Sequence, residues 1–352
     1  MKHTLWLVQI GSGARLARAL GVALGGFVVK TLAPEQLETD GQGKRLLFAV
    51  HVDACGTDEQ FCRTLRALRA AADCLTGSVA GMVIDGDGEL YTKEAARQLA
   101  LSANQSGCLF PGKPLVEGTG SLYNQHILAR QWGLDWEQTY VRQIQMLAAR
   151  IAEFEPPVFR QPRLLMLHAS DHTRSNTLWL GHEILSRLPQ SINAQEISLQ
   201  NGAIYDCRGC SYEACRHFAE NQTCFYGGAI SKRVLPAIEQ SDALLFLCPN
   251  YNDAVSANIM ALFNRLTNLL VRQDLMQKYL FGVVVSGYSG SDLVAMQLLG
   301  AMCLNKSAIL PPHFCMMQTA NDPGAAAKIA GIDARLDSFA AGIASIAAQQ
   351  DA

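Results

Sequence analysis

An apolar run, Arg163-Leu164-Leu165-Met166-Leu167-His168-Ala169, passes directly into Ser170-Asp171-His172-Thr173-Arg174-Ser175-Asn176-Thr177 and then into a helical pattern from Leu178 to Leu188. A buried strand, a loop of hydroxyl and amide side chains and a helix N-terminus in that order constrain the fold to an α/β type. The same arrangement suits an anion. The free N–H groups of the first helical turn and the positive end of the helix dipole both face the loop. The segment is neither a Walker A loop nor a G-x-G-x-x-G turn, which argues against a nucleoside triphosphate and a standard dinucleotide fingerprint. Its chemistry fits a terminal phosphomonoester. Ser, Asn and Thr are also the preferred capping residues, so a plain N-cap accounts for the loop equally well on its own.

Two further apolar runs behave alike. Ala243 to Cys248 empties into Pro249-Asn250-Tyr251-Asn252-Asp253 before a helix carrying Ile259, Leu262, Phe263, Leu266 and Leu270. Tyr279 to Val285 ends in Ser286-Gly287-Tyr288-Ser289-Gly290-Ser291, again ahead of a helix. Short apolar runs between turn residues read as buried parallel strands. In an open parallel sheet their loops share the carboxyl edge, where ligands bind at the switch point of the strand order. A loop for phosphate, a loop with an aromatic and a loop with glycines form a site for a flat, phosphorylated ring system such as FMN.

From about Arg163 to the C-terminus these residues resemble the NADPH-dependent FMN reductase family of flavodoxin-like flavoproteins. That family's pattern runs G-S-x-R-x-x-S-N-T, C-x-G-C, P-x-Y with S-x-x-M-K, and a glycine-rich loop. The matching pieces are Ser170 with Ser175-Asn176-Thr177, Cys207-Arg208-Gly209-Cys210, Pro249-Asn250-Tyr251 with Ser256 to Met260, and Ser286 to Ser291. Ala169, His172 and Ala261 stand where the family has Gly, often Arg and often Lys. The resemblance implies a doubly wound parallel sheet, FMN as cofactor and NAD(P)H as co-substrate. It implies a cofactor site made by Ser170, His172, Ser175, Asn176, Thr177, Pro249, Asn250, Tyr251, Asn252, Ser286, Gly287, Tyr288, Ser289 and Gly290. The acceptor would be an electron-poor small molecule: a quinone, an azo or nitro compound, or free flavin. Because a bound flavin carries the chemistry, no side chain is required as acid or base, and no catalytic residue is named. Reductases of this type often complete the pocket across a dimer interface, so a homodimer is one expectation and cover by the first half of the chain is the other.

At 352 residues the chain exceeds one ordinary domain. Three prolines within Glu153 to Pro162 mark a semi-rigid linker. The expected division is a divergent α/β domain over 1–155, a linker over 156–162 and the flavodoxin-like domain over 163–352. In the first half, apolar runs at Leu5 to Ile10, Leu46 to Val50 and Val79 to Ile84 alternate with helical patterns at Ala14 to Leu24, Glu59 to Ala72 and Lys93 to Ala103. This alternation reads as a second, degenerate flavodoxin-like unit. Gly11-Ser12-Gly13 reads as a tight connection, and Pro111 to Asn124 as a long polar loop ahead of a helix. A formal net charge of -2 gives no reason to expect nucleic acid or an anionic membrane as partner. No apolar segment approaches the roughly 20 residues of a membrane span, and the expectation is a cytoplasmic protein.

Eleven cysteines, an odd number, read as reduced thiols rather than a disulfide framework. Four lie close together, Cys207, Cys210, Cys215 and Cys224, with spacing C-x2-C-x4-C-x8-C. Four thiolates can hold a [4Fe–4S] cluster or a zinc ion, and the related iron-sulfur flavoproteins carry a more compact four-cysteine motif. Both later spacings depart from that motif, so unliganded thiols are the alternative. Three functional readings follow: an FMN-dependent NAD(P)H oxidoreductase, an iron-sulfur flavoprotein electron carrier, and a cofactor-less flavodoxin-like binding subunit.

Overall fold

The computed structural model describes residues 4–170, 175–200, 204–221 and 224–348. The chain divides into two compact units, Met1–Pro156 and Pro157–Ala352. In the first, strands β1 (Leu5–Ile10), β2 (Val29–Thr31), β3 (Arg45–Val52), β4 (Val79–Gly86) and β5 (Leu115–Gly118) lie in the order β2-β1-β3-β4-β5. In the second, β6 (Arg163–His168), β7 (Asn193–Ser198), β8 (Ala243–Pro249), β9 (Tyr279–Ser286) and β10 (Cys315–Thr319) lie in the order β10-β9-β8-β6-β7. Every strand pair in both sheets is parallel. Counted within each unit, both orders are 2-1-3-4-5, the flavodoxin-like arrangement with its switch point between the first and third strands. Both units are therefore open, doubly wound α/β sheets of the same topology.

Burial explains why the central strands were visible in the sequence and the outer ones were not. β4 and β9 are buried at every position, as a parallel strand covered by helices on both faces must be. The edge strands β2 and β7 are largely exposed and carry no apolar run. β5 lies inside the Pro111 to Asn124 stretch, so that segment is not the uninterrupted loop its glycines and prolines suggest. The helical pattern after Tyr251 is likewise two pieces, Ala257–Arg265 and Thr267–Leu270, broken at Leu266.

Capping fixes the helices where the sequence places acceptors. Asp58 Oδ1 accepts the Phe61 N–H at 2.8 Å ahead of the helix Glu59–Ala70. Asp135 and Gln138 form a reciprocal capping box on the helix Trp136–Glu153. Each such cap stabilises its helix by about 1 kcal/mol.

The carboxyl edge of the first sheet is filled by the unit's own side chains. Arg15, in the first turn of the helix Ala14–Ala23, donates through Nε to Asp85 Oδ2 at 2.9 Å and through its two terminal nitrogens to the carbonyls of Gly120, Gly86 and Gly118. Tyr140 Oη donates to the same Asp85 oxygen at 3.0 Å, and His51 Nδ1 lies 3.3 Å from Asp85 Oδ1. The Gly11 N–H goes to Gln60 Oε1 at 2.9 Å. The Gly11-Ser12-Gly13 turn thus packs against side chains of its own unit.

Candidate functional site

At the switch point of the second sheet, between the carboxyl ends of β6 and β8, lies a cavity of about 790 Å³. Among the described residues its walls come from four loops: Ser170 with Ser175, Asn176 and Thr177 after β6, Pro249 to Asp253 after β8, Gly287 to Ser289 after β9, and Ala320, Asn321 and Pro323 after β10. The volume falls within the usual range for cofactor and small-molecule sites.

The loop after β6 presents a helix N-terminus to this space. Ser175 is the N-cap of the helix Asn176–Ser186, and its Oγ accepts the Leu178 N–H at 3.3 Å. The cap takes only one of the first-turn N–H groups, so capping does not by itself rule out an anion at this helix end. Asn176 lines the cavity, but its amide side chain is committed elsewhere. Nδ2 donates to the carbonyls of Ala320 and Asp322 at 3.2 and 2.8 Å, and Oδ1 accepts the Ala326 N–H at 3.2 Å. Asn176 ties the loop after β10 to the loop after β6, and what it can offer an anion is its backbone N–H. His172 lies outside the described residues.

The loop after β8 is a tight reversal. Tyr251 and Ala254 exchange backbone hydrogen bonds at 3.3 and 3.2 Å, with Asn252 and Asp253 both at positive φ, 53° and 57°. Positive φ at both central residues is the signature of a type I′ turn, which Asn and Asp tolerate best. The turn holds Tyr251 at the cavity rim with 61% of its surface exposed, rather than in the core.

Asn250 joins two loops. Its Nδ2 donates to Ser286 Oγ at 3.0 Å, to the Ser289 carbonyl at 2.9 Å and to Asp253 Oδ1 at 3.2 Å. Its Oδ1 is buried with no hydrogen-bond partner. A buried acceptor left unpaired costs about 1 to 3 kcal/mol. Ser286 and Gly290 do not line the cavity themselves. Ser286 is fully buried and bonded to Asn250 and Ser291, while Gly290, at φ +81°, leaves room for Asp253 Oδ1, which a Cβ there would meet at 2.1 Å. Both support the wall from behind.

The residues fit FMN on three counts. The helix N-terminus and the serine and threonine hydroxyls after β6 suit its phosphate, Tyr251 and Tyr288 offer aromatic faces at the rim, and the cavity of about 790 Å³ is of a size to take the ring system. Asp253, Val285, Ala320, Asn321 and Pro323 were missed by the sequence reading. For the last three, the signal was the Ala320-Asn321-Asp322-Pro323-Gly324 turn, which follows a strand too short and mixed to stand out.

The four clustered cysteines line a second cavity of about 250 Å³, with Tyr212, Phe218, Phe225 and Tyr226 around them. Cys207 and Cys210 are exposed, and the Gly209 N–H donates to Cys207 Sγ at 3.5 Å. Burial pushes the Cys215 thiol above its ordinary range, with added repulsion from Cys207, Cys224 and Cys210. Among the described residues no group of three or more His, Cys, Asp or Glu side chains is arranged to hold a metal ion. None of the helices among them is long and apolar enough to cross a membrane.

Comparison with known proteins bears on the second unit. Residues 162–322 match the family described as NADPH-dependent FMN reductase. No curated protein matches the chain. Among solved structures, RosB with a bound 8-demethyl-8-formylriboflavin-5'-phosphate is 12% identical with a TM-score of 0.41, over 53% of this chain and 78% of that one. An FMN-dependent NADH-azoreductase from Bacillus anthracis is 11% identical with a TM-score of 0.37, over 52% of this chain and 99% of that one. An NAD(P)H:quinone oxidoreductase from Methanothermobacter marburgensis is 13% identical with a TM-score of 0.39, over 55% and 99%. Residues 162–322, within the second unit, are thus similar to the NADPH-dependent FMN reductase family.

Proposed function

We propose that the cavity at the switch point of the second sheet holds FMN and that the chain is a cytoplasmic reductase passing electrons from a reduced nicotinamide to a quinone, azo or nitro compound, or free flavin. The observation that supports this reading is the cavity of about 790 Å³ at the carboxyl edge, walled by the helix N-terminus after β6 and by Asn250, Tyr251 and Tyr288. FMN, when bound, supplies hydride exchange with the nicotinamide and then with the acceptor. The chain supplies position. Ser170, Ser175, Thr177 and the backbone N–H of Asn176 hold the phosphate. Asn250, fixed by Ser286 and Gly290, orients the ring edge. Tyr251 and Tyr288, 61% and 82% exposed, stand where a second flat molecule stacks. The first unit, its corresponding edge filled by Arg15 and Asp85, acts as a companion domain with no flavin of its own.

The test is steady-state oxidation of NADH and NADPH by the purified chain with FMN, against a panel of quinones, azo dyes and nitroaromatics. Turnover that depends on FMN and on an added acceptor supports the reading. A protein that binds FMN yet oxidises neither nicotinamide contradicts it.

A second reading, an iron-sulfur flavoprotein electron carrier, is favoured by one observation: Cys207, Cys210, Cys215 and Cys224 all line one cavity. They would supply thiolate ligands if the insertion tightened around a metal. Iron analysis of anaerobically prepared protein separates the two readings.

A further inference from the structure

Neither reading uses Cys207 and Cys210 as reacting thiols. Both are exposed, and both line the cavity of about 250 Å³ that Cys215 and Cys224 also reach. The segment carrying the pair is pinned at each end. Before it, Asp206 Oδ1 accepts from Asn264 Nδ2 at 2.9 Å and from the Cys207 N–H at 2.6 Å, and Arg265, 4% exposed, donates to the Tyr205 carbonyl at 3.3 Å. After it, Ser211 caps the helix Tyr212–Glu220, its Oγ accepting the Ala214 N–H at 3.3 Å. Between the two cysteines Gly209 takes a φ of +68° and donates its N–H to Cys207 Sγ at 3.5 Å, which turns that sulfur back over the residues leading to Cys210. Thiol–disulfide exchange needs a sulfur that a disulfide can reach and a second sulfur close by to complete the reaction. Cys215 and Cys224 meet the first condition less well: they are half-buried, and burial pushes the Cys215 thiol above its ordinary range.

We infer that Cys207 and Cys210 are a dithiol that reduces a low-molecular-weight disulfide and closes to a Cys207–Cys210 disulfide. The thiolate of one attacks the disulfide RSSR, forming a mixed disulfide and releasing RS⁻, which takes up a proton. The thiolate of the other then attacks the cysteine sulfur of that mixed disulfide and expels the second RS⁻. Two cysteine thiols are oxidised, one RSSR is reduced to two RSH, and the protons of the cysteine thiols end on the released thiols. The step uses no flavin and stands apart from the FMN reading. A cavity of about 250 Å³ is below the usual size of a cofactor site, and it has room for the organic half of a small disulfide against Tyr212, Phe225 and Tyr226. The short tether between the cysteines keeps the second sulfur at an effective concentration on the order of millimolar, so ring closure outcompetes the return of released thiol.

The test treats the reduced full-length chain with hydroxyethyl disulfide at pH 8 and reads the unreduced peptides by mass spectrometry. With released thiol near ~0.1 mM, the closed Cys207–Cys210 form should outnumber the mixed disulfide by about tenfold. Cys207→Ser and Cys210→Ser should each stop at the mixed disulfide on the remaining sulfur. The double variant Cys215→Ser/Cys224→Ser should close as the original chain does. The original chain alone is decisive where a variant fails to fold: a mixed disulfide that persists on Cys207 or Cys210, or closure onto Cys215 or Cys224 instead, overturns the inference. So does a purified chain that carries iron or zinc and whose Cys207 and Cys210 do not react with the disulfide.

Discussion

Asn250 Nδ2 and Ser286 Oγ, 3.0 Å apart, tie the loop after β8 to the end of β9, and that bond turns the other amide atom, Oδ1, into a buried acceptor with no partner. With further bonds to Asp253 Oδ1 and the Ser289 carbonyl, the one amide braces the two loops that form a wall of the cavity. The consequences can be measured residue by residue.

Asn250→Ala removes both the acceptor and the bonds to Asp253, Ser286 and Ser289. The bonds are worth about 1 kcal/mol each, and with two loops of the cavity wall loosened FMN affinity should fall by about tenfold. Calorimetric titration with FMN checks this. Riboflavin, which shares the ring, should lose as much.

Ser175→Ala should behave differently. It removes the cap of the helix Asn176–Ser186, costing about 1 kcal/mol of stability, and a hydroxyl near the phosphate. FMN binding should weaken by about tenfold while riboflavin binding barely changes, since only one of the two carries the phosphate. Asn176→Ala should instead lower thermal stability through the freed loop 320–326, because its amide is bonded there.

The first unit has its own pH signature. Burial, with the nearby Asp85 charge behind it, pushes the Tyr140 hydroxyl well above its ordinary range, and Tyr140 stays a donor to Asp85. Its folded value is raised, so the contribution is intact below the unfolded value of about 10 and is lost as pH rises beyond it, where the unfolded tyrosine ionises and the folded one does not. Urea unfolding followed from pH 8 to 11 should show stability falling above pH ~10. Tyr140→Phe should flatten that fall. Asp85→Ala, which strands Arg15 without its counter-charge, should cost about 3 to 5 kcal/mol at neutral pH.

The cysteines should divide by burial. Cys207 and Cys210 are exposed and should react with iodoacetamide in the native protein at pH 8. Burial pushes the Cys248 thiol up to about 12, so it should stay unmodified until the chain unfolds. Mass spectrometry of the alkylated peptides reads both outcomes. If Cys207 and Cys210 are protected in anaerobic preparations and iron accompanies the protein, the electron-carrier reading gains over the reductase.

The central strands β1, β3, β4, β6, β8 and β9 were legible because strands covered on both faces must be continuously apolar. The edge strands β2 and β7 face solvent and leave no such trace, and the terminal strands β5 and β10 are short. The loss of β10 hid the loop carrying Ala320, Asn321 and Pro323, a whole wall of the candidate site. The other three loops could be read because polar, turn-forming residues follow strands that stand out. What no residue pattern conveys is the direction of a side chain: Asn176 and Ser286 belong to the loops named from the sequence, yet both turn their polar atoms into the framework.

The central claim is that the cavity between the ends of β6 and β8 binds FMN. Titration of the purified full-length chain with FMN and with riboflavin, followed by quenching of flavin fluorescence, tests it most directly. The account predicts saturation at a single equivalent of FMN, with riboflavin bound at least about a hundredfold more weakly for want of two or more charge-assisted phosphate hydrogen bonds. Unquenched FMN, or equal affinity for the two flavins, would contradict it.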